Sequence, residues 1–423
     1  MAPPGGLGYN AGNLGILMTA VQPLADSAAG DRLARRNAVI LAVAQALAGG
    51  NSTVVITTGG LIGAAMAPDP GLATLPVTGY VVGMWAGTLP VGLLARRFGR
   101  RFAFQTGTAC GVLAGLIGYV AILQASFALF LLSTVLAGLY AAAHQAYRFA
   151  AADTASEGFR PKAVSWVMAG GVFAGFVGPQ LIIFTKDMWP PYLFAATYVG
   201  QALVALLSAA VLAFVRIPTP PRRGATGTRG RPLGEIARQP RFVVAVLCGV
   251  ASYALMNLVM TSAPLAMVGC NHSVTDATLG LQWHVLAMFL PSFFTGNLIA
   301  RFGPERVIGA GLTLIAASAA VGLSGLTVGH FWVGLVLLGL GWNFGFVGAT
   351  TMVTQCHRPE ERNTVQALND FLVFGSMVVA SFASGNLLST FGWAAVNQVV
   401  FPFIAVAGAA LIWLATKGRP RAV

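Results

Sequence analysis

Four residues in two apolar segments have the types and spacing for soft-metal chemistry. Met256 and Met260 are separated by three residues, and so are His284 and Met288. On a helix, an i, i+4 pair shares one face. Three thioethers and one imidazole are soft or borderline donors that suit Cu(I) and suit hard cations poorly. None of the four needs a negative charge, so a pocket built from them buries no anion. Packing is the competing account. The chain has 12 methionines, so one Met-x3-Met pair is weak as a motif, and Met fills irregular gaps between helices. The histidine weighs the other way, because an ionisable group in an apolar segment is expensive and marks function by default.

The elements that must position these residues are membrane helices. Of 423 residues, 56% are hydrophobic and only 9% are charged, where a soluble domain has roughly a quarter charged. That excludes a soluble enzyme, a disordered chain and a disulfide-framed secreted domain. Twelve apolar runs of spanning length are predicted, at about 39–64, 74–95, 102–123, 127–149, 163–184, 192–215, 242–263, 280–300, 307–326, 330–353, 365–388 and 395–416. They show no period-two alternation, which argues against a barrel. Hydrocarbon offers backbone no hydrogen-bond partners, so each run must be a helix. The expected fold class is an all-α membrane protein of twelve transmembrane helices. With a rise of about 1.5 Å per residue, antiparallel spans seven and eight bring the four donors within roughly 9 Å of height.

Charge sets the expected orientation. Of the 25 Lys and Arg, all but Lys186 fall on the N-terminal arm, the even-numbered loops and the C-terminal tail, counting Arg148 at the end of span four with the loop it adjoins. The positive-inside rule then places both termini in the cytoplasm. Topology thus accounts for the net charge of +13, and no nucleic-acid partner is needed. The predicted organisation is a cytoplasmic arm at 1–38, a six-helix bundle at 39–215, a basic linker at 216–241, a second six-helix bundle at 242–416 and a tail at 417–423. The arm lacks the basic start and the uninterrupted apolar run of a signal peptide. The bundles echo each other. Gly92-Leu-Leu-Ala-Arg-Arg-Phe-Gly99 follows span two, and Gly296-Asn-Leu-Ile-Ala-Arg-Phe-Gly303 follows span eight, 204 residues later. A duplicated six-helix unit is a signature of secondary transporters. No P-loop, nucleotide fingerprint or catalytic triad is present, so neither an enzyme nor an ATP-driven pump is expected.

Over about residues 39–416 the spans, central linker and repeated glycine loop resemble the major facilitator superfamily. In that family the loop after span two carries an acid where this chain has Arg96. The resemblance implies that this loop meets span eleven in the outward-facing state. An Arg96–Asp370 latch, with Gly92, Gly99, Gly296 and Gly303 shaping the two gating loops, is the corresponding expectation. Within the superfamily, CcoA-like copper importers are marked by Met-x3-Met on span seven and His-x3-Met on span eight. Met256, Met260, His284 and Met288 match both. The resemblance implies a monomeric importer in the bacterial inner membrane. It would pass copper to cytoplasmic acceptors for cbb3-type cytochrome oxidase assembly, with copper as cargo and no resident cofactor.

Relatives in the same wider family carry riboflavin. The alternative expectation is therefore a flavin or other organic-solute carrier, with Trp342, Phe344 and Phe346 stacking on the ring. Further candidates for a metal relay are Cys270 and His272 in the loop after span seven, and Cys356 and His357 after span ten. His144, Gln145 and Arg148 near the end of span four, and Gln45 and Asn51 in span one, are candidate cavity residues.

Overall fold

The computed structural model describes residues 12–153, 155–156, 159–217, 231–358 and 361–417, and among them no strand occurs. The first set of helices is α1 (Gly12–Met66), α2 (Leu75–Phe98), α3 (Arg100–Leu123), α4 (Phe127–Gln145), α5 (Tyr147–Asp153), α6 (Arg160–Thr185) and α7 (Ala195–Leu212). A short helix, α8 (Leu233–Ala237), lies within the linker. The second set is α9 (Pro240–Gly269), α10 (Val274–Phe289), α11 (Ser292–Phe302), α12 (Pro304–Ser324), α13 (Val328–Thr354), α14 (Arg362–Gln398) and α15 (Val400–Lys417).

The span count follows from lengths and breaks. Among the described residues, ten helices are long and apolar enough to cross a bilayer, and the pair α10–α11, bent by 43°, brings the count to eleven if it forms one span. The stretch Thr364–Thr416 runs 53 residues. That is about 80 Å of helix against a lipid core of about 30 Å, enough for two crossings. It breaks at Gly392, where φ is 79°. Within the segment expected as an arm, 1–38, the described residues are helical from Gly12 onward and run continuously into span one, whose apolar portion is Arg32–Met66.

Local sequence explains where the helices start and turn. Ser126 caps α4 by accepting from the Leu129 N–H, and Ser273 and Asp276 form a reciprocal capping box on α10. These side chains satisfy amide groups that a helix start leaves unpaired. Gly99 and Gly303 turn the two repeated loops with nearly the same backbone, φ 89° and ψ 159° against φ 82° and ψ 154°. A side chain there would be strained, so the duplicated glycine is a duplicated turn.

Close helix contacts fix the interior. A Cβ at Gly83 on α2 would lie 2.2 Å from the Val135 carbonyl oxygen, and one at Gly138 on α4 would lie 2.1 Å from that of Tyr80. On α13, a Cβ at Gly339 would lie 2.5 Å from the His284 carbonyl oxygen of α10. These backbones touch because no side chain separates them.

Hydrogen bonds between the two sets of helices gather at one end. Among the described residues, three side-chain hydrogen bonds cross between them. Thr74 Oγ1 donates to the Ser381 carbonyl at 3.2 Å, Thr78 Oγ1 to Ser381 Oγ at 3.1 Å, and Gln180 Nε2 to Gln282 Oε1 at 3.0 Å. All three lie at the end away from the basic loops. At the basic end, ion pairs among the described residues stay within one set: Arg100–Asp153 in the first, Arg231–Glu361 and Arg241–Glu305 in the second. Arg96–Asp370 is not among them; Asp370 instead accepts from Asn369 Nδ2 at 3.1 Å. The structure is closed at the end away from the basic loops.

Candidate functional site

A cavity lies between the two sets, with about 760 Å³ of empty space counted to its open side. Its walls differ in chemistry. The first set contributes Gln45, Ser52 and Thr53 from α1 and His144 and Gln145 from α4. The second contributes Tyr253, Met256 and Met260 from α9 and Met288 and Phe289 from α10. Most of the hydrogen-bonding side chains lie on the first set, which also brings Tyr80 and Met84 to the cavity, and most of the thioethers lie on the second, which also brings Asn257.

The polar wall is ordered by one imidazole. Gln45 Nε2 lies 3.4 Å from His144 Nδ1, and Ser52 Oγ lies 3.2 Å from His144 Nε2. Ser52 Oγ also donates to the Ala48 carbonyl at 3.3 Å. One direction satisfies every link. Gln45 donates to Nδ1, the protonated Nε2 donates to Ser52, and Ser52 passes its proton to the backbone. That assignment leaves the Gln45 amide oxygen and its second N–H for the cavity. Across from it, Asn257 Nδ2 is held by the Met377 carbonyl at 3.1 Å, which leaves the Asn257 amide oxygen free.

The aromatic wall is backed by a cluster. The Tyr253 ring stands edge-on to Trp342, Phe346 and Phe374, at centroid distances of 5.1, 4.8 and 6.0 Å. Trp342 and Phe346 stack at 5.4 Å with 15° between planes. Such pairs contribute about 0.5–1.5 kcal/mol each beyond area burial. The aromatic residues that reach the cavity are Tyr80, Tyr253 and Phe289, with Trp342 and Phe346 behind the last two. Phe344 turns elsewhere, 6.4 Å from Phe294. Tyr253 was missed in the sequence although its signal was present. Tyr253, Met256, Asn257 and Met260 are spaced i, i+3, i+4, i+7, one continuous helix face.

The four soft donors do not all share the cavity. Met256, Met260 and Met288 line it, together with Met84 and Met377. His284 is not in its lining. The His284 ring is fully buried, and Nδ1 lies 2.7 Å from the Leu335 carbonyl of α13. With that bond donated by Nδ1–H, Nε2 is the unprotonated nitrogen, and it has no protein partner. The cavity face of α10 runs through Val285, Met288 and Phe289. His284 sits one residue, about 100°, off that face.

The relay candidates also have other partners. His272 Nε2 lies 2.7 Å from the Leu326 carbonyl, and its ring packs on Phe331; neither it nor Cys270 lines the cavity. Cys356 is buried, donates to the Met352 carbonyl, and its own carbonyl accepts from Arg231. Burial pushes its thiol pKa up, away from the thiolate that binds metal. His357 Nδ1 lies 3.1 Å from the Arg358 carbonyl. Among the described residues, no group of three or more His, Cys, Asp and Glu converges on a metal position. Asn51 is buried with both amide atoms unpartnered, and nothing in its surroundings explains this. Arg148 and Asp370 feel each other's charge without forming an ion pair, and neither lines the cavity.

Comparison with known proteins bears on the cargo. The family model for the Major Facilitator Superfamily matches residues 41–291 and 245–423. The chain is 52% identical over 374 residues to the riboflavin transporter RfnT of Brucella anthropi, covering 88% of this chain and 94% of that one. The structure resembles that of the nucleoside transporter NupG, with a TM-score of 0.72, 12% identity and coverage of 90% of this chain and 99% of that one. It also resembles that of a D-xylose–proton symporter, with a TM-score of 0.69, 14% identity and coverage of 89% and 96%. The expectation of copper import is overturned by the first of these relatives. At that identity over nearly the whole length, the likeness is to a flavin carrier, and copper as cargo has no support.

Proposed function

We propose that this chain, which belongs to the Major Facilitator Superfamily, carries riboflavin across the membrane by alternating access. The superfamily is one of transporters, so the chain is a multi-pass membrane transport protein and not an enzyme. The observation that carries the cargo is the 52% identity to a riboflavin transporter across 88% of this chain. The cavity chemistry supports it. Riboflavin has a flat tricyclic ring with an imide edge and a hydroxylated tail. A wall of Tyr253, Phe289 and methionines suits the ring face, because polarizable thioethers and aromatics adapt to flat apolar surfaces. The amides of Gln45, Gln145 and Asn257 carry the donors and acceptors that suit an imide and hydroxyls.

The basic loops face the cytoplasm in this reading, and the protein resides in the bacterial inner membrane as a monomer. The cavity then stands in the state closed to the outside. The two bundles, 39–215 and 242–416, rock about it. On rocking, the basic ends approach, and Arg96 on the loop after span two meets Asp370 on span eleven as a latch. Growth of a riboflavin-auxotrophic bacterium tests the cargo. Expression of this chain restores growth at low external riboflavin; growth no better than with empty vector overturns the reading.

A further inference from the structure

A second recess lies on the outer surface of the first helix set, away from the central cavity. It is a groove with about 1270 Å³ of empty space counted to its open face, formed by the ends of α1, α6 and α7 nearest the basic loops. Its walls are apolar and include Trp166, Leu207, Val211 and Phe214, and its rim carries Arg35 and Arg36. Trp166, Leu207 and Phe214 are 40%, 54% and 64% exposed, which in a membrane means facing lipid.

The rim is built rather than incidental. Arg36 donates to the Phe214 carbonyl at 3.2 Å, and the Arg35 guanidinium stands 5.4 Å over the Phe159 ring. A guanidinium has five N–H donors, so both keep most of theirs free. Buried Asn37 exchanges two hydrogen bonds with the backbone of Arg216, at 2.8 and 3.1 Å, which draws a third arginine to the same corner. Among the described residues, no Asp or Glu lines the groove. Arg35 and Arg36 sit one turn into the apolar span that begins at Arg32, and a tryptophan at this depth is typical of the membrane interface.

We infer that this groove binds an anionic phospholipid of the leaflet at the basic end, with the phosphate on Arg35 and Arg36 and an acyl chain along Trp166, Leu207 and Phe214. Charge and shape select that occupant together. The described rim carries Arg35 and Arg36, the trough below it is apolar, and basic pockets between membrane helices bind anionic head groups on this principle. A neutral lipid fills the trough but leaves the rim unmatched. The inference is independent of the cargo.

Tryptophan quenching tests it with the full chain in phosphatidylcholine vesicles. Brominated-chain phosphatidylglycerol or brominated-chain phosphatidylcholine is titrated in, and the Trp166 signal is taken as the difference between wild type and Trp166→Phe. Each arginine near the surface favours an anionic lipid by about fivefold. Half-quenching is therefore expected at a mole fraction at least about fivefold lower for the anionic lipid. The Arg35→Gln, Arg36→Gln double variant is expected to erase that preference, and excess inorganic phosphate to leave it unchanged. Equal quenching by the two lipids in the wild type overturns the inference. So does a preference that survives the double variant, or one that free phosphate abolishes.

Discussion

Gln45 reaches the cavity with one amide N–H already committed to His144, so its orientation is fixed before any solute arrives. A positioned amide contributes through one or two hydrogen bonds, each about 0.5–1.5 kcal/mol net. Gln45→Leu is therefore expected to raise the half-saturating riboflavin concentration about tenfold in initial-rate uptake. Met260→Leu keeps the wall apolar at similar volume and should stay within about threefold. Equal effects of the two would remove the distinction between the walls. His284 belongs to a different account. Its imidazole ties α10 to α13 through Leu335 rather than facing the cavity. His284→Ala is expected to cost about 2–4 kcal/mol of stability by lost packing and a lost buried hydrogen bond. The check is thermal denaturation in detergent; an unchanged midpoint contradicts the tie. Spacing alone placed His284 and Met288 on one face, which was correct as helix geometry. It gave no rotation of that face relative to the cavity, and a turn of one residue separates a lining side chain from a buried one.

At the scale of elements, the loops at the basic end hold the second helix set together. Glu361 accepts from Arg231 Nε and a terminal guanidinium nitrogen at 2.9 and 2.8 Å, and from the backbone N–H groups of Arg231 and Arg358. The Arg231 side chain first, then these backbone donors, hold its carboxyl well below the usual carboxylate range. A depressed pKa contributes stability that is complete above the unfolded value of about 4.3 and is lost as pH falls through the folded value. The thermal-midpoint gap between wild type and Glu361→Gln should thus stay constant from about pH 8 to 5 and shrink on further acidification. A gap that widens in acid contradicts this assignment. The latch is a second element-scale expectation. Asp370→Arg should abolish uptake, and adding Arg96→Asp should restore a substantial part of it. Rescue by Arg148→Asp instead would move the latch to the end of span four, whose arginine already interacts with Asp370.

For the whole molecule, the membrane architecture was legible because it is written locally. Apolar runs of spanning length, the basic loops and the paired glycines at 99 and 303 need no tertiary knowledge. The start of α1 was less so, since residues 12–38 lack the apolar density of a span. The cargo was misread for a physical reason. Thioether and imidazole donors announce metal chemistry from sequence. The competing wall exists only after α9 and α13 bring Tyr253 against Trp342 and Phe346. Methionines that look like ligands serve equally as soft lining for a ring. The most direct test is flux through the purified chain in proteoliposomes loaded with buffer and supplied with radiolabelled riboflavin. Saturable accumulation above empty vesicles, suppressed by excess unlabelled riboflavin and weakened in Gln45→Leu, is the expected result. Accumulation no greater than in empty vesicles, from protein that is folded and correctly inserted, would contradict the account.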